Sequence, residues 1–424
     1  MKRHPEPSVP GFDKATELPP IRGRYLLVTQ IPTYLDDCQR RYTDPLWLKD
    51  LREHLVYLND FTLACPRVGG KVPESAVPLD SDPRLSRVKF VDLPATRSLV
   101  HAVLLLPATL VTLWRAIRNA DIVHTGVAGW PIPTGWLAIP LARILNRHSI
   151  VVVESAPWRL EPGLPTNLKS RIKATVYERL GRWCLKNADL GVFTQEEYRQ
   201  SFLKGRSQHG YVIHASWIDE DVILSDRDAD IIWKEKLLTN RTELRILFVG
   251  RLTAAKGISI LLAALRLLAQ KHEPVKLDIL GAGELSEECA KAGEELQGAT
   301  RVQLLGTVAY GPPLFQLLRQ YHAVVIPNIS DEQPRIVYDA YSQGVPVLAT
   351  RTAGLRDCVC EQRTGWLVEP NDPRALSELI ELALHHQAEL RRMGMEAIQM
   401  ARSLTHQRMH RQRHRLLLQY FNNP

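Results

Sequence analysis

Short β-branched runs alternate with helical periods along this chain, and the alternation occurs twice. In the first half, strand-like runs fall at 25–29, 61–64, 88–91, 121–124, 150–153, 190–193 and 211–213, with helical periods at 46–58, 99–118, 133–145 and 168–186. Such alternation makes a parallel sheet covered by helices on both faces. Segment 225–241 is charged and weakly patterned, and reads as a linker. The pattern restarts with strands at 244–249, 275–280, 302–305, 324–326, 345–348 and 365–368. Helices are expected between them at 256–271, 284–296, 313–319 and from Pro334 to Gly344, then at 373–386 and 389–403. A chain of 424 residues is too long for one core. The simplest solution is two doubly wound α/β domains facing each other across a cleft. Ligands of such sheets bind outside the carboxyl ends of the strands.

Bulk properties narrow the function classes. Hydrophobic residues make up 45% of the chain and aromatics only 7%, as in an ordinary globular protein. Residues 1–20 are proline-rich without an apolar run, and read as a loose tail rather than a signal peptide. The greasiest stretch, 103–113, is too short to cross a bilayer. Six scattered cysteines give neither a disulfide framework nor zinc spacing and fit a reducing cytosol, so no metal is expected. The formal charge of +8 invites an anionic partner. After Glu396 there is no acid, but Arg402, Arg408, Arg411, Arg413 and Arg415 follow without interleaved aromatics, which argues against nucleic acid.

The chemistry-bearing residues cluster at strand ends of the second half. AVVIPNISDEQPRIVYDAYSQGVPVLAT (323–350) reads as strand, acidic loop, helix and strand. Pro334 suits a first helical position and Gly344 a helix end. A helix opened this way aims unpaired N–H groups at the preceding loop, a site for phosphate. Asp331 before the helix and Asp339 inside it suit a ligand with phosphate and hydroxyls. Gly250 and Arg251 follow the first strand, and Lys256 opens the next helix, so a guanidinium and an ammonium can clamp a diphosphate. Gly281 and Gly283 follow the second strand without the third glycine of a dinucleotide fingerprint, which argues against NAD. Thr307 and Val308 follow the third strand, where backbone groups can meet a flat base.

These motifs resemble glycosyltransferase family 4, retaining enzymes with the GT-B fold. VGRLTAAKG (249–257), LDILGAGEL (277–285), VQLLGTV (302–308), the segment holding Asp331 and Asp339, and TAGLRDCVCEQRTGWLVEPNDPRALSELI (352–380) carry the resemblance in order. ADLGVFTQEEYRQ (188–200) is the clearest match in the first half. The resemblance implies an N-terminal acceptor-side domain at 21–225, a linker at 226–243 and a nucleotide-sugar domain at 244–404. A final helix, 405–424, would pack back onto the first domain. It implies that Arg251 and Lys256 hold the donor diphosphate, Asp339 accepts from the ribose hydroxyls and Asp331 contacts the sugar. Amides near Arg335 and Ile336 would bind the distal phosphate. Glu154 matches a position where many members carry a histidine beside the donor sugar.

Departures from the family pattern bear on the sugar pocket. Both acids are aspartates where glutamate is usual, each shorter by about 1.5 Å at most. Glu332 and Pro334 replace glycines, and Glu332 is an alternative sugar-contacting acid. Gln30-Ile31-Pro32-Thr33 stands in place of a glycine-rich loop.

The implied activity is transfer of a hexose from a UDP- or GDP-sugar to a lipid-linked or saccharide acceptor, with no cofactor. Cytoplasmic polysaccharide assembly is the implied setting, and the apolar segment 99–114 reads either as a core helix or as a peripheral contact with an anionic membrane interface. A sugar-nucleotide epimerase on the same fold and a lapsed nucleotide-sugar-binding paralogue are the alternatives. Two further features have structural readings: His124 as a packed histidine, and His406, His410 and His414, on one helix face with no carboxylate nearby, as phosphate-facing or packed.

Overall fold

The computed structural model describes residues 18–129, 131–160, 166–204, 210–239 and 242–421. Residues 1–17 of the expected tail lie outside them. The N-terminal lobe runs β1 (Ile21–Val28), β2 (Thr33–Leu35), β3 (Arg41–Thr43), α1 (Pro45–Tyr57), β4 (Leu58–Gly69), β5 (Val77–Pro78), β6 (Lys89–Pro94), α2 (Leu99–Leu104) and α3 (Leu106–Arg118). It continues with β7 (Ile122–Gly126), α4 (Gly135–Ile144), β8 (His148–Val153), α5 (Leu168–Asn187), β9 (Leu190–Phe193), α6 (Glu196–Leu203) and β10 (Gly210–Val212). The parallel order is β10-β9-β8-β7-β1-β4-β6, with β2, β3 and β5 extending from the far end of β4. Central strands such as β8 are almost wholly apolar because helices cover both faces. Helix α1 starts where Asp44 accepts from the Leu46 and Trp47 amides and Pro45 needs no donor.

The C-terminal lobe comprises α7 (Asp226–Thr239), β11 (Leu244–Val249), α8 (Ile258–Gln270), β12 (Val275–Leu280), α9 (Ser286–Glu295), β13 (Arg301–Gly306), α10 (Pro312–Leu318), β14 (Ala323–Ile326), α11 (Ile336–Ser342), β15 (Val347–Thr350), α12 (Ala353–Cys358) and β16 (Gly365–Val368). Helices α13 (Pro373–His385), α14 (Gln387–Ser403) and α15 (His406–Phe421) complete the chain. The all-parallel sheet has the order β13-β12-β11-β14-β15-β16. Strand order therefore reverses between β11 and β14, and the loops after these two strands flank the switch-point crevice.

Three local expectations need correction. Segment 226–243 is not a bare linker, since α7 occupies most of it. Trp233 of α7 is fully buried in the second lobe's core, and its indole N–H donates to the Gly344 carbonyl at 2.8 Å. Charge on the outer face of α7 hid a helix that needs only Ala229, Trp233 and Lys236 for its buried side. The helical period at 99–118 is two helices meeting at Leu105. Helix α11 begins at Ile336, two residues after Pro334, so Asp339 lies in its first turn and not beyond it.

Helix α15 returns to the first lobe. Met409, Leu416 and Leu417 pack in one core with Tyr25, Leu51 and Tyr57. The lobes also touch near the cleft, where the Gln195 amide donates to the Asp331 carbonyl at 2.8 Å and the Glu196 N–H to Asp357 at 2.6 Å.

Candidate active site

Two loops build the C-terminal wall of the cleft, and backbone contacts fix them together. Ile329 N–H donates to the Ala255 carbonyl, tying the loop after β14 to the one after β11. Gly257 sits at φ +68°, and a Cβ there would lie 1.8 Å from the Pro327 carbonyl oxygen. Only glycine allows that approach. Gly281 and Gly283 have the same kind of reason: their absent side chains admit the backbone of Gly250 and Leu252. Both glycines therefore shape the loop that carries Arg251.

On this frame Arg251 is exposed and joins no ion pair among the described residues. Lys256 is mostly buried and its ammonium pairs with Glu332. The Arg335 and Ile336 amides donate to no described residue, as expected at a helix start. Helix α11 is only seven residues long, so these free amides, rather than a long dipole, are what it offers an anion. Asp331 is exposed, and one of its oxygens accepts the Ala353 N–H at 2.9 Å. That caps α12 and leaves the second oxygen without a hydrogen bond among the described residues.

Asp339 is 4% exposed and accepts from the Tyr310 hydroxyl at 3.0 Å. Burial pushes its carboxyl up to about 6, against the pull of Tyr310 and Arg335. The Arg335 guanidinium lies 5.6 Å from the Tyr310 ring centroid and 5.9 Å from that of Trp217. Thr307 and Val308 are exposed at the end of β13, three and two residues before Tyr310. Tyr310 and Trp217 carried no motif, and only the fold brings them to Asp339 and Arg335.

In the N-terminal lobe Glu154 follows β8, in a pocket of about 430 Å³ lined also by Thr29, Gln30, His54, His124 and Arg413. Its side chain is open to solvent within the pocket. The surrounding protein, and then the Asp50 charge, raise its carboxyl above the ordinary range, against Arg413. Beneath it lies a buried polar cluster that the sequence did not reveal. Asp50 of α1 is 2.9 Å from His410 Nε2 and 3.2 Å from His54 Nδ1. Burial opposes ionisation of Asp50, but the two rings outweigh it and hold the carboxyl well below its usual value. The His406–His410 face thus does have a carboxylate beside it, brought by the fold from 360 residues upstream of His410. Asp50, His406 and His410 present ligand atoms within 4.8 Å of one another and are the residues that could hold a metal ion here. His414 instead meets the Pro19 carbonyl at 2.8 Å, and His124 packs buried against the Tyr25 hydroxyl at 2.9 Å.

The described helices include none long and apolar enough to cross a membrane. Residues 230–400 match the family described as Glycosyl transferases group 1. The chain is similar to an uncharacterized glycosyltransferase of Methanocaldococcus jannaschii, at 30% identity over 35% of this chain and 40% of that protein. The match thus spans less than half of that relative's length. It is also similar to the D-inositol 3-phosphate glycosyltransferase of Corynebacterium glutamicum, at 26% identity over 67% of this chain and 69% of the relative. Among solved structures, Anabaena HepE in complex with UDP-glucose superposes with a TM-score of 0.65 at 16% identity, covering 94% of this chain and 100% of that one. With two parallel-sheet lobes and a switch-point crevice the chain has the GT-B fold, and its second lobe, over residues 230–400, resembles the glycosyl transferases group 1.

Proposed function

We propose that the protein is a retaining glycosyltransferase that moves a hexose from a UDP- or GDP-sugar to a lipid-linked or saccharide acceptor in polysaccharide or glycoconjugate assembly. What supports this reading is that Arg251 and Lys256 follow β11 while the free Arg335 and Ile336 amides follow β14, on the two loops that flank the strand-order reversal of the C-terminal sheet. Its relatives' names, and a sugar nucleotide bound to a protein of the same fold, support the donor class.

Departure of the nucleoside diphosphate concentrates negative charge on its phosphate oxygens. Donors already aimed at that position stabilise the transition state most, because they need no reorganisation. Arg251 and Lys256 supply that charge and the two amides add neutral donors, so no cofactor or metal is needed for the transfer. Glu332 shares Lys256 with the incoming diphosphate and tunes its grip. The acceptor hydroxyl attacks from the face the phosphate leaves, a phosphate oxygen takes its proton, and the anomeric configuration is kept. Asp331 or Glu332 positions the sugar from one side and Glu154 from the other. Asp339, in ionised form, accepts from the ribose. We place this work at the cytoplasmic face of the membrane.

A panel of UDP- and GDP-sugars in thermal-shift and nucleotide-release assays tests the proposal. One donor should raise the melting temperature and be slowly hydrolysed. Lys256→Ala should lower turnover more than about a hundredfold, the loss of several kcal/mol of transition-state stabilisation. Near-normal turnover in that variant would remove the diphosphate assignment.

A further inference from the structure

Helices α3, α4 and α5 lie side by side over one face of the N-terminal sheet. The inner side of α5 buries Tyr177, Gly181, Cys184 and Leu185, which fixes the helix to its lobe. Its outer side carries Leu168, Ile172, Val176, Leu180 and Trp183, with Leu168 73% and Ile172 56% exposed. Steps of four, four, four and three residues align these five side chains in one stripe along the helix. Leu104 of α2, Trp114 of α3 and Ile144 of α4 add exposed apolar surface to the same side of the lobe.

Charge selects what can cover this face. Helices α2 to α5 contain nine lysines and arginines and one acid, Glu178. Glu178 is spent on Arg159 and Arg182. Lys169, Arg171, Lys173, Arg179 and Lys186 remain exposed along the apolar stripe of α5. Isolated surface apolar residues need no explanation, but an aligned stripe rimmed by one sign of charge does. A second copy of the chain would set these cations against each other with no free acid in α2 to α5 to meet them.

We propose that the α2–α5 face docks on an anionic lipid bilayer, with the α5 stripe in the acyl–headgroup boundary and its cations on the headgroups. The docked face adjoins a second pocket of about 430 Å³, walled by α2 and α3 and lined by Leu93, Leu106, Leu137, Arg67 and Arg97. It shares Gln30, Pro32 and Thr134 with the Glu154 pocket. Docking therefore sets a membrane-anchored acceptor beside the proposed site; that last step rests on the transferase reading, whereas docking does not.

Cosedimentation of the full chain with phosphatidylglycerol/phosphatidylcholine vesicles tests the proposal. Binding should need phosphatidylglycerol and fall with salt, since each cation near an anionic surface contributes roughly fivefold in affinity. Ile172→Ser with Leu180→Ser and Trp183→Ser, and separately Lys169→Glu with Lys173→Glu and Arg179→Glu, should each lower partitioning more than tenfold. Both variants should keep the wild-type melting curve and the rate of donor hydrolysis in solution, which separates lost docking from lost transfer. No binding to anionic vesicles, binding unchanged in both variants, or a dimer in sedimentation velocity that the serine variant dissolves would each overturn it.

Discussion

Asp339 shows how far one residue's environment departs from its sequence. The motif marks it as a ribose acceptor, but its burial and the Tyr310 hydroxyl on its oxygen are tertiary facts. A carboxyl raised to about 6 favours the fold while it is protonated in both states, below its unfolded value near 3.9. That contribution is lost as pH rises through about 6, where the native group ionises at a cost of up to about 3 kcal/mol. Asp339→Asn should therefore be the more stable protein at pH 8 but not at pH 4, as urea unfolding at the two pH values would show. Donor binding should run the other way. The wild-type KM for donor should rise as pH falls through about 6, and the Asn variant should have a higher KM with no such pH dependence. A flat wild-type profile would remove Asp339 from the ribose.

At the scale of elements, α7 and α11 show which signals a sequence carries and which it hides. Strands were legible because a parallel sheet buried on both faces demands unbroken apolar runs, as in Ile150–Val153 of β8 and in β14. Helix α7 was read as a linker because one large side chain, Trp233, provides most of its buried contact. A linker residue would tolerate truncation. Trp233→Ala should instead cost about 3–5 kcal/mol, from lost burial and the orphaned Gly344 carbonyl, and thermal melting would measure it. The start of α11 was misplaced by two residues because Pro334 also fits the loop ahead of a helix. The slip matters: it moves Asp339 into the first turn, directly beneath the free Arg335 and Ile336 amides.

On the scale of the whole molecule, the lobes are joined by chain that crosses back. Helix α15 completes the first lobe's core and carries His410 and Arg413 to Asp50 and His54. Deleting residues 405–421 should expose Tyr25, Leu51 and Tyr57 and leave the first lobe open to limited proteolysis while the second lobe stays resistant. Equal protection of both lobes would show that α15 is dispensable.

The sequence alone determined the two α/β lobes, the resemblance to glycosyltransferases and the loop after β11 that carries Arg251 and Lys256, because each is written in local period or contiguous motif. Tertiary structure alone decided that Lys256 meets Glu332, that Tyr310 donates to Asp339, and that Asp50 supplies the carboxylate beside His410. It alone also left the α5 stripe exposed among the described residues. A helical period specifies that a face is apolar, but whether core, partner or solvent meets that face depends on which elements the topology stacks against it.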